Sequence, residues 1–236
     1  MKKIKELSQD TFIKWIVGIN ALFFIISLIL SGSEATLTLN PFNALSPSLE
    51  VLVAMGASGT LPIDEYGHWW SLIAAGWLHG SLIHILFNMA ALYHIGRLII
   101  MTYGIERMSV IYIVSCIAGF YLSYIAGVSL TIGASASLCG LIGAAFHYGR
   151  TSRGPFARAV SETASGWIIS IAIIGIALPG INNWGHGGGF AAGFLLARLM
   201  GHNDTSRGKS IHVMASWISF IATGAVFVWS LISIAK

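Results

Sequence analysis

The stretch from Gly133 to Gly143 reads Gly-Ala-Ser-Ala-Ser-Leu-Cys-Gly-Leu-Ile-Gly and places the hydroxyl of Ser135 at the start of an apolar segment. A serine in a membrane helix usually bonds a carbonyl one turn back or faces another helix. A nucleophilic role requires a base beside it. His186, within Trp-Gly-His-Gly-Gly-Gly-Phe-Ala-Ala-Gly, is the candidate base. Ser137 lies about 200° around the helix from Ser135 and would face away from such a base.

Small residues on both segments would let the two helices approach each other. Gly189 and Gly193 lie three and seven residues after His186 and therefore share its helical face. Their four-residue spacing is typical of helices whose backbones come close together. A similar stripe accompanies Ser135, formed by Ala136, Gly140 and Gly143. The two stripes could bring a histidine nitrogen to the serine oxygen, or they could serve packing alone while His186 bonds a nearby carbonyl.

Two polar side chains on an earlier apolar segment could stabilise an oxyanion. His84 and Asn88 are four residues apart and so share one helical face. Together with the backbone N–H of Ser135 at a helix N-terminus, they would supply three donors. A purely structural clamp between helices is the alternative. His79 lies about 140° around the helix from His84 and is expected to order the outer loop instead.

Acidic residues are absent from the interior of the predicted spans, which narrows the chemistry. With no carboxylate to complete a Ser-His-Asp triad, a Ser-His dyad remains. The same absence, and the lack of a His-Glu-x-x-His pattern, argue against metalloproteases, aspartyl proteases and proton-coupled transporters. Clustering of the polar groups at one end of their helices argues against a histidine-lined channel or a metal transporter. The acids are Glu6, Asp10, Glu34, Glu50, Asp64, Glu65, Glu106, Glu162 and Asp204.

The composition indicates a protein that crosses a membrane several times. The chain has 236 residues, of which 56% are hydrophobic and only 9% charged, and its mean hydropathy is +0.78. Soluble domains are about 25% charged. We therefore interpret the net charge of +4 as a signal of topology, not of nucleic-acid binding. Cys116 and Cys139 lie in apolar runs, so neither a disulfide nor a zinc site is expected.

The apolar runs predict an all-α polytopic membrane protein with seven transmembrane helices. Their approximate bounds are Phe12–Leu30, Leu72–Leu98, Ser109–Val128, Gly133–His147, Ser165–Leu178, Gly185–Met200 and Val213–Ile234. We expect a cytoplasmic segment over 1–11, a six-helix core over 12–200, a cytoplasmic linker over 201–212 and an additional C-terminal helix over 213–236. Because the first run is long enough to span a membrane, no cleavable signal peptide is expected.

Lysine and arginine residues set the expected orientation. Four groups of them fall on one side of a seven-span arrangement, and the opposite loops contain none. The positive-inside rule then puts the N-terminus in the cytoplasm and Ser135, His186 and His84 in the outer half of the membrane. The segment that starts at Gly133 rises only about 22 Å, against a hydrocarbon core of about 30 Å. We expect its start to lie at the floor of a water-accessible cavity that opens outward.

These residues resemble the rhomboid family of intramembrane serine proteases. The resemblance covers roughly residues 12–200, and the seven-span layout is similar to the family's six-helix core with one added C-terminal helix. Three motifs carry it: Trp69-Trp70 through His79 and His84 to Asn88-Met, Gly-Ala-Ser135 through Gly140 to Gly143, and Asn-Trp-Gly-His186 with Gly189 and Gly193.

The resemblance implies a role for each of these residues. Ser135 would be the nucleophile, His186 the general base, and the Ser135 amide part of the oxyanion hole with His84 and Asn88. Proteins of this family cleave transmembrane segments of membrane proteins near the outer membrane face, and they need no metal or nucleotide. The expected partners are such substrates and the lipid bilayer, in a bacterial inner (plasma) membrane. The residues implied as structural support are His79, Gly140, Gly189 and Gly193.

The sequence departs from the family pattern at three positions. Ala136 replaces a glycine after the serine, which should narrow the backbone freedom beside the nucleophile. Cys139 replaces an aromatic residue, which leaves the ring of His186 less firmly oriented. Ser71 replaces an arginine and is expected to weaken the outer loop. These departures keep open an inactive rhomboid-like protein that binds transmembrane helices, as a chaperone or trafficking factor, although the presence of both dyad residues favours a protease.

Overall fold

The computed structural model describes residues 2–40, 43–178, 180–202 and 206–234. The seven predicted long helices are found within these residues, together with two short ones, and no strand longer than an isolated bridge occurs there. In chain order the helices are α1 (Lys2–Ser31), α2 (Leu49–Met55), α3 (Ser71–Ala74), α4 (Leu82–Tyr103), α5 (Ile105–Ile125), α6 (Ser135–Thr151), α7 (Pro155–Ala177), α8 (Asn183–Met200) and α9 (Ser206–Ile234).

Five of the helices in the described part of the chain are long and apolar enough to cross a membrane. They comprise most of α1, all of α4, α5 and α7, and the segment Ser210–Ile232 of α9. Helices α6 and α8 have 17 and 18 residues and rise about 26 and 27 Å, slightly less than the hydrocarbon core of a bilayer. The prediction of an all-α polytopic membrane protein is confirmed, and α6 is short as predicted.

The predicted second segment is not one helix from Leu72 onward. Helix α3 and a 3-10 turn at Ala75–Trp77 come first, and α4 starts only after a break in the helical backbone. Ser81 is extended (φ −166°, ψ 165°), and its hydroxyl accepts a hydrogen bond from the backbone N–H of His84, which caps α4. His79 therefore lies in the connection before α4, so its predicted position on a different face of the same helix is wrong.

The predicted fifth segment begins earlier than Ser165. Helix α7 starts at Pro155. Gly154, directly before it, has a φ of 103°, so the chain turns there before the helix begins. Proline is favoured in a first helical turn because its missing N–H would have no partner there. The first turns of α7 are too polar to be detected by hydropathy, yet they bury Ala157, Val160 and Ala164 on one face.

The long loop between α1 and α4 is ordered by its contact with the loop before α6. The backbones of Ser58 and Thr131 exchange two hydrogen bonds, of 3.0 and 2.7 Å, and the N–H of Thr60 donates to the carbonyl of Val128 at 2.9 Å. Ser71 is fully buried, and its hydroxyl donates to that of Ser58 at 3.0 Å. Ser71 therefore adds a buried hydrogen bond to the outer loop that it was expected to weaken.

Helix α6 occupies the centre of the bundle and packs against α4, α5, α7 and α8. Most of its residues are buried, including the polar Ser137 and His147. Helices α7 and α9 instead expose large apolar side chains such as Ile173, Ile176 and Trp217. A belt of exposed apolar side chains around a core of small residues suits a lipid environment, where helices associate by close packing.

The C-terminal helix α9 packs beside the N-terminal helix α1. Phe23 and Phe227 stack with ring centroids 3.7 Å apart, and Phe12 meets Phe220 edge-on at 6.0 Å. The hydroxyl of Ser230 also donates to the carbonyl oxygen of Met55 at the end of α2. Helix α9 is thus joined to the side of the bundle formed by α1, α2 and α5 and lies away from the contact between α6 and α8.

Candidate active site

Ser135 is the first residue of α6, at the end of a loop that is held from two sides. The backbone of Thr131 pairs with Ser58, and the N–H of Gly133 donates to the carbonyl of Ala75 at 2.8 Å. Gly133 has a φ of 116°, a conformation that favours glycine and turns the chain into the helix. Ser135 is half-buried, whereas Ser137 is fully buried, in agreement with the prediction that the two hydroxyls face different directions.

The side chains of His84 and Asn88 lie against the backbone of Gly133, two residues before Ser135. A Cβ atom on Gly133 would lie 2.6 Å from Nε2 of His84 and 3.7 Å from Nδ2 of Asn88. The predicted pair on one face of α4 is therefore found beside the start of α6. Asn88 is only 6% exposed, and its Nδ2 donor has no partner in the described residues. An unpaired buried donor is costly, so this amide is available to a substrate oxygen.

The hydrogen bonding of His84 fixes which ring nitrogen can donate. The backbone N–H of Gly80 donates to Nδ1 of His84 at 3.4 Å. In a neutral imidazole whose Nδ1 accepts, Nε2 carries the proton. Because Nε2 is the atom that faces Gly133, His84 directs an N–H toward the start of α6.

The ring of His79 packs against the ring of His84 in the connection before α4. Its side chain is fully buried, and its ring meets that of His84 edge-on with centroids 5.0 Å apart. The backbone of Trp77 also lies beside this buried ring. The contact limits the rotation of His84 and so helps to maintain the direction of its Nε2–H.

His186 lies in the first turn of α8, which is held in position by Asn182. The Asn182 side chain accepts a hydrogen bond from the N–H of Gly185 at 2.9 Å, which caps the helix. Its amide nitrogen donates to the hydroxyls of Ser123 on α5, at 2.7 Å, and of Thr131, at 2.8 Å. Asn182 was not among the predicted site residues, although an asparagine just before a helix is a recognisable capping signal.

The first turns of α6 and α8 touch through their backbones. A Cβ atom on Gly189 would overlap the carbonyl oxygen of Ala136, and one on Gly193 would overlap that of Gly140. The two stripes of small residues therefore face each other, as predicted. Since Ser135 precedes Ala136 and His186 lies one turn before Gly189, the structure brings the two predicted dyad residues to the same end of this contact.

The predicted dyad residues, Ser135 and His186, are not hydrogen-bonded to each other in the structure. His186 is half-buried, and its buried Nδ1 has no partner in the described residues. No ion pair or hydrogen bond joins it to a carboxylate in that part of the chain. Hydrogen bonds between catalytic groups often tighten only when the substrate is bound.

Of the residues that depart from the family pattern, Ala136 lies inside this contact and Cys139 is buried on the same helix. Ala136 is 1% exposed, and its Cα and carbonyl form the surface that Gly189 meets. Cys139 is 3% exposed and is a free thiol. Gly119 of α5 completes the packing, because a Cβ there would lie 2.6 Å from the carbonyl oxygen of Gly185 and 2.9 Å from Cβ of Ala136. Three helices thus meet at the first turns of α6 and α8.

Comparison with known proteins identifies the family. Rhomboid protease GluP of Bacillus subtilis is 33% identical over 159 residues, which cover 67% of this chain and 31% of that protein. RHOMBOID-like protein 5 of Arabidopsis thaliana is 33% identical over 174 residues, 66% of this chain and 52% of that protein. RHOMBOID-like protein 2 of the same plant is 30% identical over 194 residues, 77% of this chain and 61% of that protein.

The chain spans between about a third and about three fifths of the length of these relatives. A family model described as a Rhomboid domain matches residues 66–203, which is more than half of the chain. The matched range includes His79, His84, Asn88, Ser135 and His186. The chain belongs to the rhomboid family.

Proposed function

We propose that this chain is an intramembrane serine protease that cleaves transmembrane segments of membrane proteins through a dyad of Ser135 and His186. Membership of the rhomboid family supports an intramembrane protease or a rhomboid-like function. The observation that carries the finer proposal is the backbone contact between the first turns of α6 and α8. A hydroxyl and an imidazole at adjacent helix starts are the nucleophile and base that acyl transfer requires.

In the proposed reaction His186 removes the proton of the Ser135 hydroxyl as Oγ attacks the carbonyl carbon of the scissile peptide. The oxyanion that forms accepts hydrogen bonds from Nε2–H of His84, Nδ2–H of Asn88 and the backbone N–H of Ser135. His186 then gives the proton to the leaving amine, and the C–N bond breaks to leave an acyl-enzyme. A water molecule, deprotonated by His186, hydrolyses the ester, and Ser135 regains its proton.

The three proposed donors have no hydrogen-bond partner among the described residues, which leaves them free for an oxyanion. Nδ2 of Asn88 is buried and unpaired among the described residues, and Nε2 of His84 faces Gly133. The N–H of Ser135 is at a helix start, where no preceding turn supplies a carbonyl. Donors that are already oriented need no rearrangement when the charge develops, which is the main source of oxyanion stabilisation.

For the orientation we propose a cytoplasmic N-terminus and an active site that opens to the outer side. The support is the distribution of lysine and arginine, which are concentrated in alternate loops of a seven-span arrangement. We also propose a bacterial plasma membrane as the location; one of the relatives is bacterial, and others are from a plant. We further propose residues 12–200 as the catalytic core, 201–212 as a linker and 213–236 as an added helix, because the matched domain ends at residue 203.

Cleavage of a model transmembrane substrate in proteoliposomes tests the proposal. We expect Ser135→Ala and His186→Ala each to lower kcat/KM by at least ~10³-fold, because each removes a group that makes or breaks bonds. Ser137→Ala is the matched control, since it removes a neighbouring hydroxyl that is fully buried and lies beside Tyr112 and Cys116 instead of the proposed dyad. This control should cleave like the wild type.

Labelling with a fluorophosphonate probe separates the dyad from the choice of substrate. The wild type and Ser137→Ala should be labelled, and Ser135→Ala should not. Labelling of Ser135→Ala, or equal cleavage by all variants, would show that the nucleophile is assigned wrongly. A wild type that is neither labelled nor active, but binds transmembrane helices, would instead be an inactive member of the family.

A further inference from the structure

We infer that Asn182 is a positioning residue for the proposed dyad, which holds the helix start that carries His186 against the loop that carries Ser135. The inference rests on the proposed function. It assigns to Asn182 no contact with substrate and no share in proton transfer. Its action is to fix the distance and direction between two groups that must meet for the reaction to start.

The oxygen and the nitrogen of the Asn182 side-chain amide both form hydrogen bonds, and they bind different parts of the site. The oxygen accepts the N–H of Gly185 at 2.9 Å, and the backbone carbonyl of Asn182 accepts the N–H of His186 at 3.1 Å. The nitrogen donates to Ser123 at 2.7 Å and to Thr131 at 2.8 Å. One side chain therefore joins α8, α5 and the loop before α6.

The partner on the loop makes this arrangement relevant to the dyad. Thr131 is four residues before Ser135, as Asn182 is four residues before His186. The Thr131 backbone is itself fixed by two hydrogen bonds to Ser58. The amide of Asn182 thus connects the residues that lead into the two catalytic helix starts, and it does so across a gap of 51 residues in the chain.

The first turns of α8 are rich in glycine, so their helical backbone depends on the cap that Asn182 provides. Glycine occupies positions 185, 187, 188 and 189, and each glycine inside a helix costs about 1 kcal/mol relative to alanine. Among the described residues, nothing forms a hydrogen bond with the buried Nδ1 of His186 that would fix the direction of its ring. The position of the imidazole therefore depends on the helical backbone beneath it, and that backbone is stabilised by the cap.

The next residue along the chain provides a contrast. Asn183 is exposed, and its Nδ2 donates to the carbonyl of Gly175 on α7 at 2.9 Å. It makes no hydrogen bond to α5 or to the loop before Ser135 in the described structure. Two adjacent asparagines thus bond in different directions, and only Asn182 joins the two halves of the proposed dyad.

Three substitutions separate capping from bridging. Asn182→Ser keeps a good capping oxygen but is too short to reach Ser123 and Thr131. Asn182→Ala removes both functions. Asn182→Asp keeps the cap and can accept a hydrogen bond from the hydroxyl of Thr131, so it should restore much of the lost activity. Asn183→Ala serves as the matched control.

The measurements are the second-order rate of fluorophosphonate labelling of Ser135, kcat and KM for a model substrate, and the unfolding temperature. A misplacement of about 1 Å can cost about 10²-fold in rate. We therefore expect Asn182→Ser and Asn182→Ala to lower the labelling rate and kcat by ~10- to 100-fold at nearly constant KM. Asn182→Ala should lose more thermal stability than Asn182→Ser, because it removes the cap as well as the buried hydrogen bonds. Asn183→Ala should be labelled like the wild type.

The inference is overturned if Asn182→Ser labels and cleaves at the wild-type rate, because the residue would then act only as a cap. Equal losses in Asn183→Ala and Asn182→Ser would also overturn it, since the effect would not depend on the bridge. These outcomes are distinct from a failure of the proposed function, in which the wild type itself is inactive or Ser135→Ala retains activity.

Discussion

Replacing Gly189 by alanine perturbs the contact on which the proposed site depends. A Cβ atom at this position would overlap the carbonyl oxygen of Ala136 and lie 2.9 Å from its carbonyl carbon and 3.2 Å from its Cα. All three atoms belong to the backbone of α6, so no side-chain rotation can relieve the overlap. The helices α6 and α8 must move apart at the level of Ser135 and His186.

The size of the effect follows from this geometry. Ordinary Cβ contacts begin at 3.4 Å, so the contact must open by on the order of 1 Å, and overpacking of this kind costs about 1–3 kcal/mol. The gain in helix propensity from glycine to alanine offsets up to about 1 kcal/mol of this cost. Activity should suffer more than stability, because a misplacement of about 1 Å can lower the rate by about 10²-fold.

The chain offers a matched control two residues earlier. Gly187 lies on the same helix, and no atom of the described part of the chain lies within 4 Å of its added Cβ. Gly187→Ala should therefore keep the wild-type activity and raise stability by up to about 1 kcal/mol. The assay is kcat/KM for a model transmembrane substrate in proteoliposomes, with unfolding of each variant followed by intrinsic tryptophan fluorescence.

A wild-type kcat/KM for Gly189→Ala would refute this reasoning, because it would mean that the spacing of α6 and α8 does not set the geometry of the dyad. The reasoning would fail as well if Gly187→Ala lost as much activity as Gly189→Ala. In that case the loss would come from reduced freedom of the α8 backbone and not from the contact with Ala136.

Two further predictions concern the oxyanion donors and the outer loop. Asn88→Ala should lower kcat by ~10²–10³-fold with little change in KM, because it removes one donor to the proposed transition state. Initial rates measured over a range of substrate concentrations give both constants. An unchanged kcat would contradict the prediction. Ser58→Ala and Ser71→Ala should each lose about 1–3 kcal/mol of stability, because each leaves a buried hydroxyl without its partner. The double variant should lose clearly less than the sum, as denaturant unfolding can measure, and strictly additive losses would contradict the hydrogen bond between them.

The long helices were predictable because hydropathy and the spacing of small residues act over whole segments. The interior of α6 is a stripe of Ala136, Gly140 and Gly143, and the structure buries all three against neighbouring helices. The same local signal identified Gly189 and Gly193 as the facing surface of α8. A pattern read from one segment therefore predicted a contact between two segments, since only another smooth surface fits such a stripe.

The break before α4 could not be predicted from the same signal. Residues 72–78 are almost entirely apolar, so hydropathy continues through the 3-10 turn as if one helix ran across it. The break results from Ser81, which caps α4 with its own hydroxyl. As a consequence His79 reaches the ring of His84, a contact that a helical projection excludes.

The hydrogen-bond partners of Asn182 could not be predicted from the sequence for a different reason. A capping asparagine is a local signal and can be read from the residues around it. Its other hydrogen bonds reach Ser123 and Thr131, which are 59 and 51 residues away. Nothing in the spacing of these residues indicates that they meet, because their separation depends on how α5 and α8 pack against each other.

Ser135 and His186 are positioned in the same way, and this predicts which substitutions should lower activity. Ser135 and His186 both lie in the first turn of a short helix, and each preceding segment is held by hydrogen bonds to a distant part of the chain. Between them the packing is backbone against backbone, so no side chain can adjust to absorb an error. Substitutions on the lipid-exposed faces of α7 and α9 should be tolerated, because their apolar side chains meet acyl chains that adapt to new shapes. The same change in size at Gly189 must move a whole helix, and the proposed base His186 moves with it.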